Sequence, residues 1–237
     1  DVAVIGVNGF FGDRIVEIAS RCGARVVKAA AEWGKPIEPS AIESALKSEK
    51  KVKLLAVVHA ETSTGVLQPL GEISKLAKKY GALFLVDSVT SLGGHEVAVD
   101  EWGIDISYSA SQKGLSCPPG LAPFTCTDAA LAAVQSRKTK VSSWYFDLSL
   151  LSSYWSEGAT ARVYHHTAPA LMVYAFHEAL AIIAEEGLPA RFQRHLRNGT
   201  ALQAGLEAMG LTLFAQKGYR LSTLTSVCIP EGVNDAK

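Results

Sequence analysis

Residues 83–89 read Leu83-Phe84-Leu85-Val86-Asp87-Ser88-Val89, four apolar residues followed by an acid. A short, fully apolar run predicts a strand that is buried on both faces, as in a parallel sheet. This strand ends at a carboxylate, Asp87. Ligands of open α/β sheets bind at the carboxyl ends of the strands, so Asp87 is a candidate site residue.

Apolar strands and helical segments alternate on both sides of this stretch. Further strands are predicted at residues 2–7, 25–29, 54–58, 104–108 and 122–126. Helical segments follow several of them, and Asp13 is the predicted cap of the first helix. Such alternation predicts an α/β fold with a mostly parallel sheet and helices on both faces.

A lysine follows the next predicted strand, in the loop Ser109-Ala110-Ser111-Gln112-Lys113-Gly114. An acid and a lysine on neighbouring strand ends suit pyridoxal phosphate chemistry. The lysine can hold the cofactor aldehyde as a Schiff base, and the acid can keep the pyridine nitrogen protonated. Taken singly, Asp87 would be an ordinary turn residue and Lys113 an ordinary solvated one. Their order and their placement at strand ends favour the cofactor site.

The first predicted turn carries a glycine pattern of another protein class. Gly6, Gly9 and Gly12 follow a strand and precede a helix, as in dinucleotide-binding turns. The acid expected at the end of the second strand is missing, because residues 26–30 read Val-Val-Lys-Ala-Ala. A nicotinamide-binding protein is therefore the third interpretation, after an enzyme that uses pyridoxal phosphate and a non-catalytic binding protein. Phe11, in this turn, suits stacking on a flat ring as well as an ordinary place in the core.

Composition excludes several other classes. The chain has 237 residues, 48% of them hydrophobic, and a formal net charge of +0, which gives no field to attract nucleic acid or a membrane surface. The four cysteines form no Cys-x-x-Cys pair, which predicts reduced thiols in an intracellular protein and no zinc site. The most apolar stretch, residues 168–184, is interrupted by His177 and Glu178 and predicts a packed helix.

The composition changes after Asp128, where aromatic residues gather between 144 and 155. Two long helices are predicted at 169–186 and 189–209, and short strands near 211–214 and 224–230. In Tyr164-His165-His166-Thr167 the adjacent histidines should point to opposite faces of an extended chain, so they should not share a metal. Tyr164 and Thr167 could together bind an anion.

These motifs together resemble the alanine–glyoxylate / serine–pyruvate aminotransferase family, class V enzymes of pyridoxal phosphate fold type I. The blocks are His-x-Glu-x-Ser-Thr-Gly from His59, Val-Asp-Ser-Val from Val86, Ser-Gln-Lys from Ser111 and Tyr-His-His-Thr from Tyr164. The resemblance implies a large cofactor-binding domain over residues 1–185 that lacks its N-terminal part. Residues 186–237 would begin a small α+β domain.

The resemblance also implies roles for the matching residues. Lys113 would be the catalytic residue, holding pyridoxal 5′-phosphate and moving a proton between substrate and cofactor. Asp87 would pair with the pyridine nitrogen, with Val89 and Phe11 on the two ring faces. Thr62 would contact the cofactor near its phenolic oxygen and Gln112 its phosphate. Tyr164 and Thr167 would reach the phosphate of a neighbouring subunit, which implies a homodimer.

The implied activity is transfer of an amino group from alanine or serine to glyoxylate or another 2-oxo acid. A glycine-rich turn would precede Asp1, and an arginine that binds the substrate carboxylate would follow Lys237, so the chain is interpreted as a partial one. A class V lyase or desulfurase is the enzymatic alternative, although Cys117 lies in a rigid Pro-rich loop. The alternative that is not an enzyme is a non-catalytic binding or scaffold subunit. Cytoplasm, peroxisome and mitochondrion are not distinguished.

Overall fold

The structure, a computed structural model, describes residues 1–155 and 163–234. The strands are β1 (Val2–Val7), β2 (Arg25–Ala30), β3 (Leu54–Val58), β4 (Ala60–Glu61), β5 (Val66–Leu67), β6 (Leu83–Asp87), β7 (Ile106–Tyr108) and β8 (Phe124–Cys126). The helices are α1 (Phe10–Arg21), α2 (Pro39–Lys47), α3 (Gly71–Tyr80), α4 (Asp128–Gln135), α5 (Leu148–Trp155), α6 (Ala170–Glu186) and α7 (Leu188–Ala208).

A six-stranded sheet organises the chain in the order β2-β1-β3-β6-β7-β8. The pairs from β2 to β7 are all parallel, and β8 runs antiparallel to β7 at the edge. Strands β4 and β5 form a separate antiparallel pair. The predicted α/β fold with a mostly parallel sheet is confirmed.

The two faces of the sheet are covered by different helices. Because successive strand residues point to opposite faces, Phe84 and Val86 join a core with Ile42 of α2 and Ile73 of α3. Ile5 and its neighbours on the other face pack against α1. This second cluster is smaller, and part of its face stays open beyond α1.

Several predicted boundaries differ from the structure. Helix α1 begins at Phe10, with Gly9 as its N-cap residue, so Asp13 lies inside the first turn and is not the cap. The predicted strands at 211–214 and 224–230 form one isolated bridge between Leu213 and Val227 within the described residues. The proposed domain boundary at 185–186 falls at the end of α6 and stays a prediction.

Two further observations concern the cysteines and the apolar helices. The four cysteines, Cys22, Cys117, Cys126 and Cys228, are free thiols. In the ranges that the structure describes, no helix is both long enough and apolar enough to cross a bilayer.

The core between β6 and helices α2 and α3 can be tested with Phe84→Ala. Phe84 is fully buried, and truncating a buried phenylalanine costs about 3–5 kcal/mol of unfolding free energy. Phe146→Ala is the matched control, because Phe146 is 76% exposed and its loss should change stability by less than about 0.5 kcal/mol. Urea denaturation measures both. Equal effects of the two variants would contradict the described core.

Candidate active site

A groove of about 1230 Å³ runs along the open face of the sheet, beside α1. At the carboxyl edge of the strands it is lined by six of the eight candidate residues: Phe11, Thr62, Asp87, Val89, Gln112 and Lys113. The structure therefore brings together in space residues that are far apart in sequence. Tyr164 and Thr167 are not among the described residues that line the groove.

Asp87 is the last residue of β6 and is only 7% exposed. Its Oδ1 accepts a hydrogen bond from the Val89 backbone N–H at 2.9 Å, and its Oδ2 accepts one from the Tyr108 hydroxyl at 2.8 Å. Tyr108 lies directly opposite Asp87 in the parallel register of β6 and β7. The carboxylate is thus fixed at the edge of the sheet, facing the groove.

Burial raises the pKa of Asp87 above its usual value, and the nearby Glu61 carboxylate adds to this effect. The Val89 N–H, the Tyr108 hydroxyl and the Arg14 guanidinium act in the opposite direction. Burial also raises the pKa of Tyr108, next to Asp87, so its hydroxyl stays protonated and donates. A cationic partner in the groove would relieve the cost of ionising Asp87.

The Lys113 loop is held by the buried Ser111. The Ser111 hydroxyl donates to the Pro118 carbonyl at 2.7 Å, and the Ser111 carbonyl accepts from the Cys117 N–H at 3.0 Å. The Ser116 N–H closes the turn on the Lys113 carbonyl at 2.9 Å. Lys113 and its neighbour Gln112 remain exposed and line the groove.

The other wall of the groove carries a ring and two hydroxyls. Phe11, at the start of α1, is half-buried, and the Arg14 guanidinium lies 4.8 Å from its ring centroid. The hydroxyls of Thr62 and Thr90 are 2.5 Å apart. Val89 follows Asp87 and is half-buried. A flat apolar surface and hydroxyl groups are therefore available beside the acid and the amine.

Glu61 is fully buried at the N-terminus of α1. Its carboxylate accepts hydrogen bonds from the N–H groups of Phe11 and Gly12 at 3.4 and 3.2 Å. It also accepts from the Ser63 N–H at 3.1 Å and the Ser63 hydroxyl at 2.6 Å. A carboxylate from a neighbouring loop thus caps the helix, where exposed N–H groups and the helix dipole favour negative charge.

This arrangement accounts for the glycine pattern without a nucleotide. A Cβ atom at Gly9 would lie 2.4 Å from the Glu61 Cδ, so glycine there makes room for the acid. A Cβ at Gly12 would lie 3.0 Å from the Gly6 carbonyl oxygen, so glycine there allows α1 to pack closely on β1. Because Glu61 occupies the helix N-terminus, the geometry argues against a pyrophosphate at this turn.

The histidine pair corrects one expectation. His165 and His166 do not point apart, since their Nδ1 atoms are 2.9 Å from each other. His165 is buried and stacks on Trp144, with ring centroids 4.3 Å apart, so aromatic packing overrides the alternation of an extended chain. Nowhere in residues 1–155 and 163–234 do three His, Cys, Asp or Glu side chains gather as a metal site would require.

Tyr164 and Thr167 flank the two histidines and form a pair on the surface. The Tyr164 hydroxyl and the Thr167 hydroxyl are 2.7 Å apart, and Tyr164 is 72% exposed. The segment from 162 to 169 that carries them begins at Arg162, which lies outside the described residues.

The groove fits pyridoxal phosphate in the chemistry of its lining. Asp87 is a buried acid that a pyridinium would stabilise, and Lys113 is a primary amine in the same groove.

Sequence analysis missed Tyr108, Thr90 and Arg14, and it assigned no helix-capping role to Glu61. Tyr108 had a usable signal, because it ends the strand that precedes Ser109 and the strands of a parallel sheet end at a common edge.

Comparison with known proteins gives a consistent result. The family model "Aminotransferase class-V" matches residues 2–236. The alanine–glyoxylate aminotransferase of Rattus norvegicus is 43% identical over 235 residues, which cover 99% of this chain and 56% of the relative. The (S)-ureidoglycine–glyoxylate transaminase of Bacillus subtilis is 40% identical over 252 residues, covering 99% and 60%.

Solved structures agree with these relatives. The alanine–glyoxylate aminotransferase from Nostoc sp. superposes with a TM-score of 0.93 at 49% identity, covering 98% of this chain and 61% of that one. The chain therefore spans roughly three fifths of the length of the relatives and structures that it matches.

The cap on α1 can be tested with Glu61→Ala. Removing the carboxylate leaves the N–H groups of Phe11 and Gly12 without their acceptor, and a buried group left unsatisfied costs roughly 1–3 kcal/mol. The control is Glu17→Ala on the same helix, where the Glu17 side chain is 62% exposed. Thermal or urea unfolding should show a clear loss only for Glu61→Ala. Equal stability of the two variants would contradict the capping role.

The burial of Asp87 predicts a pH-dependent stability difference. The pKa of Asp87 in the folded state is raised above 3.8, so the fold favours the protonated carboxyl. This contribution to the unfolding free energy is fully present below pH 3.8 and is lost as the pH rises through the raised pKa. Asparagine does not ionise. Relative to the wild type, Asp87→Asn should therefore gain unfolding free energy as the pH rises from about 4 toward neutrality.

Urea denaturation of the cofactor-free protein across this pH range measures the difference. The exposed Asp100, changed in the same way to asparagine, is the matched control. A difference for Asp87→Asn that does not vary with pH would contradict the raised pKa.

Proposed function

The chain belongs to the class-V aminotransferase family, and we propose that the protein transfers an amino group from a small amino acid, alanine or serine, to glyoxylate or another 2-oxo acid. One observation carries this proposal: Asp87 and Lys113 line one groove at the carboxyl edge of the sheet. The names of the relatives in rat, Nostoc and Bacillus subtilis, all glyoxylate aminotransferases or transaminases, support the acceptor.

Pyridoxal 5′-phosphate would supply a reactive aldehyde and a ring that withdraws electrons from the α-carbon of the amino acid. In the proposed site, the Lys113 amine would hold the aldehyde until the amine of the substrate displaces it, and the freed Lys113 amine would then accept the proton that leaves the α-carbon. Asp87 would keep a proton on the ring nitrogen, and the positive charge there would offset the desolvation that raises the pKa of Asp87. Tyr108 keeps the Asp87 carboxylate in place through its 2.8 Å hydrogen bond.

The remaining candidate residues position the cofactor in this proposal. The ring would lie between Phe11 and Val89, two half-buried side chains in the groove. Thr62 would donate near the phenolic oxygen, and the exposed Gln112 would bind the phosphate. The buried Glu61 carboxylate already accepts four hydrogen bonds, so it would hold Phe11 rather than touch the substrate.

We also propose a homodimer in which Tyr164 and Thr167 of one protomer reach the phosphate in the site of its partner. Their paired hydroxyls are exposed, and the groove of their own protomer is lined by other residues.

The free state of all four thiols supports an intracellular location.

The desulfurase alternative requires a mobile cysteine near the lysine. Cys117 is only 6% exposed, and its N–H is bound to the Ser111 carbonyl at 3.0 Å. The next residue, Pro118, accepts the Ser111 hydroxyl. These contacts hold Cys117 in the wall of the loop and favour the aminotransferase.

Lys113→Ala tests the proposed function directly. Wild-type protein incubated with pyridoxal 5′-phosphate should develop a visible absorption band that borohydride bleaches, with the pyridoxyl group mapped to Lys113. The alanine variant should lose the adduct at this position, and its transamination of alanine or serine with glyoxylate should fall by at least about 100-fold.

Lys75→Ala is the control, because the Lys75 side chain is 74% exposed on α3 and does not line the groove. It should keep both the band and the rate. A wild-type protein that takes up no cofactor would refute the enzyme and favour a binding or scaffold subunit. Release of sulfide from cysteine without transamination would instead favour the desulfurase.

A further inference from the structure

A buried arginine, Arg191, lies outside the residues assigned so far. It stands in the first turn of α7 and is 5% exposed. A buried guanidinium is costly unless its donors are all used. The structure shows what this one binds: two loop carbonyls, one serine hydroxyl and one carboxylate.

One carbonyl belongs to the loop that follows Asp87, and the other belongs to the loop that contains Lys113. The Arg191 Nε donates to the Gly93 carbonyl at 2.8 Å, six residues after Asp87. Its Nη2 donates to the carbonyl of Gly114, the residue after Lys113, also at 2.8 Å, and to the Ser116 hydroxyl at 3.2 Å. One side chain therefore connects the two loops of the site.

The two loops also touch each other through their backbones. A Cβ atom at Gly114 would lie only 2.3 Å from the Leu92 carbonyl oxygen, so no side chain fits between the loops. Their spacing is thus set by main-chain contact and by the guanidinium that bonds to both. A small shift of Arg191 would change the position of Lys113 relative to Asp87.

Glu186, at the end of α6, orients the guanidinium. Its Oε2 accepts from the Arg191 Nη1 at 2.8 Å, and it also binds Arg194, at 2.5 and 2.9 Å. The Arg194 guanidinium lowers the pKa of Glu186 to about 2, and Arg191 adds to this effect. The carboxylate therefore stays ionised, and the α6–α7 corner holds Arg191 in one direction.

We propose that Arg191 is a positioning residue for Lys113: it holds the lysine loop against the turn after β6, so that the α6–α7 corner sets where the amine lies. The planar fork of arginine can reach two carbonyls and a carboxylate at once, which the single ammonium of lysine cannot reproduce. The proposal rests on the proposed function only in taking Lys113 as the reactive amine.

The test compares Arg191→Lys with Arg194→Lys. The control shares the helix, the charge and the Glu186 contact, but Arg194 is 39% exposed and its guanidinium donates twice to Glu186. Hydrogen exchange reports on both loops through the bonded N–H groups of Leu92, Gly94, Ser116 and Cys117. In Arg191→Lys these should exchange at least about tenfold faster, while the strands of the core keep their protection.

A second readout follows Lys113 itself. Pyridoxal 5′-phosphate and borohydride label accessible lysines, so the ratio of adduct at Lys113 to adduct at the exposed Lys75 measures the site within one sample. The ratio should fall several-fold in Arg191→Lys and stay at the wild-type value in Arg194→Lys. A purely structural role would raise exchange throughout the protein and would not single out the two loops.

Several outcomes overturn the proposal. These are an unchanged rate of hydrogen exchange in the two loops of Arg191→Lys, a uniform rise in exchange over the whole protein, or equal effects of the two variants. If Arg191→Lys does not fold, exchange of the wild type at increasing urea decides, because both loops should then open together with one dependence on urea, and separate openings refute the connection. Wild-type protein without adduct at Lys113 refutes the enzyme but leaves the exchange comparison valid.

Discussion

The parallel pairing of β3, β6 and β7 determines where the polar groups of this protein meet. Burying Phe84 and Val86 under α2 and α3 turns the alternate residues of β6, including Asp87, toward the groove. The register with β7 then places Tyr108 opposite Asp87. A slip by one residue would exchange the two faces of the strand. The apolar core thus fixes the direction of the carboxylate.

Two buried acids lie near this edge, and their surroundings give them different roles. Glu61 receives four hydrogen bonds from backbone and hydroxyl groups around the N-terminus of α1. Asp87 receives two and lines the groove, and burial raises its pKa. The acid with a complete set of donors serves the fold, whereas the acid with fewer donors is left to meet a cation.

The sequence allowed the sheet and most of the groove to be predicted, because apolar strands and strand-end polar residues are local signals. Asp87 and Lys113 could be paired since consecutive strands of such a sheet end at one edge. The cap of α1 could not be found this way, because Glu61 is 49 residues from the N–H of Gly12 that it binds. Arg191 was missed for the same reason, with 98 residues between it and Gly93.

The cap on α1 has a thermodynamic consequence for any ligand that stacks on Phe11. The helix N-terminus is already satisfied by Glu61 and Ser63, so the ring is placed before a ligand arrives. Association then requires little ordering of the chain, and the entropy lost is mainly that of the ligand and of exposed side chains such as Lys113. The N-terminus of α1 is in this respect a pre-organised part of the site, and the heat-capacity change on binding should reflect surface burial rather than coupled folding.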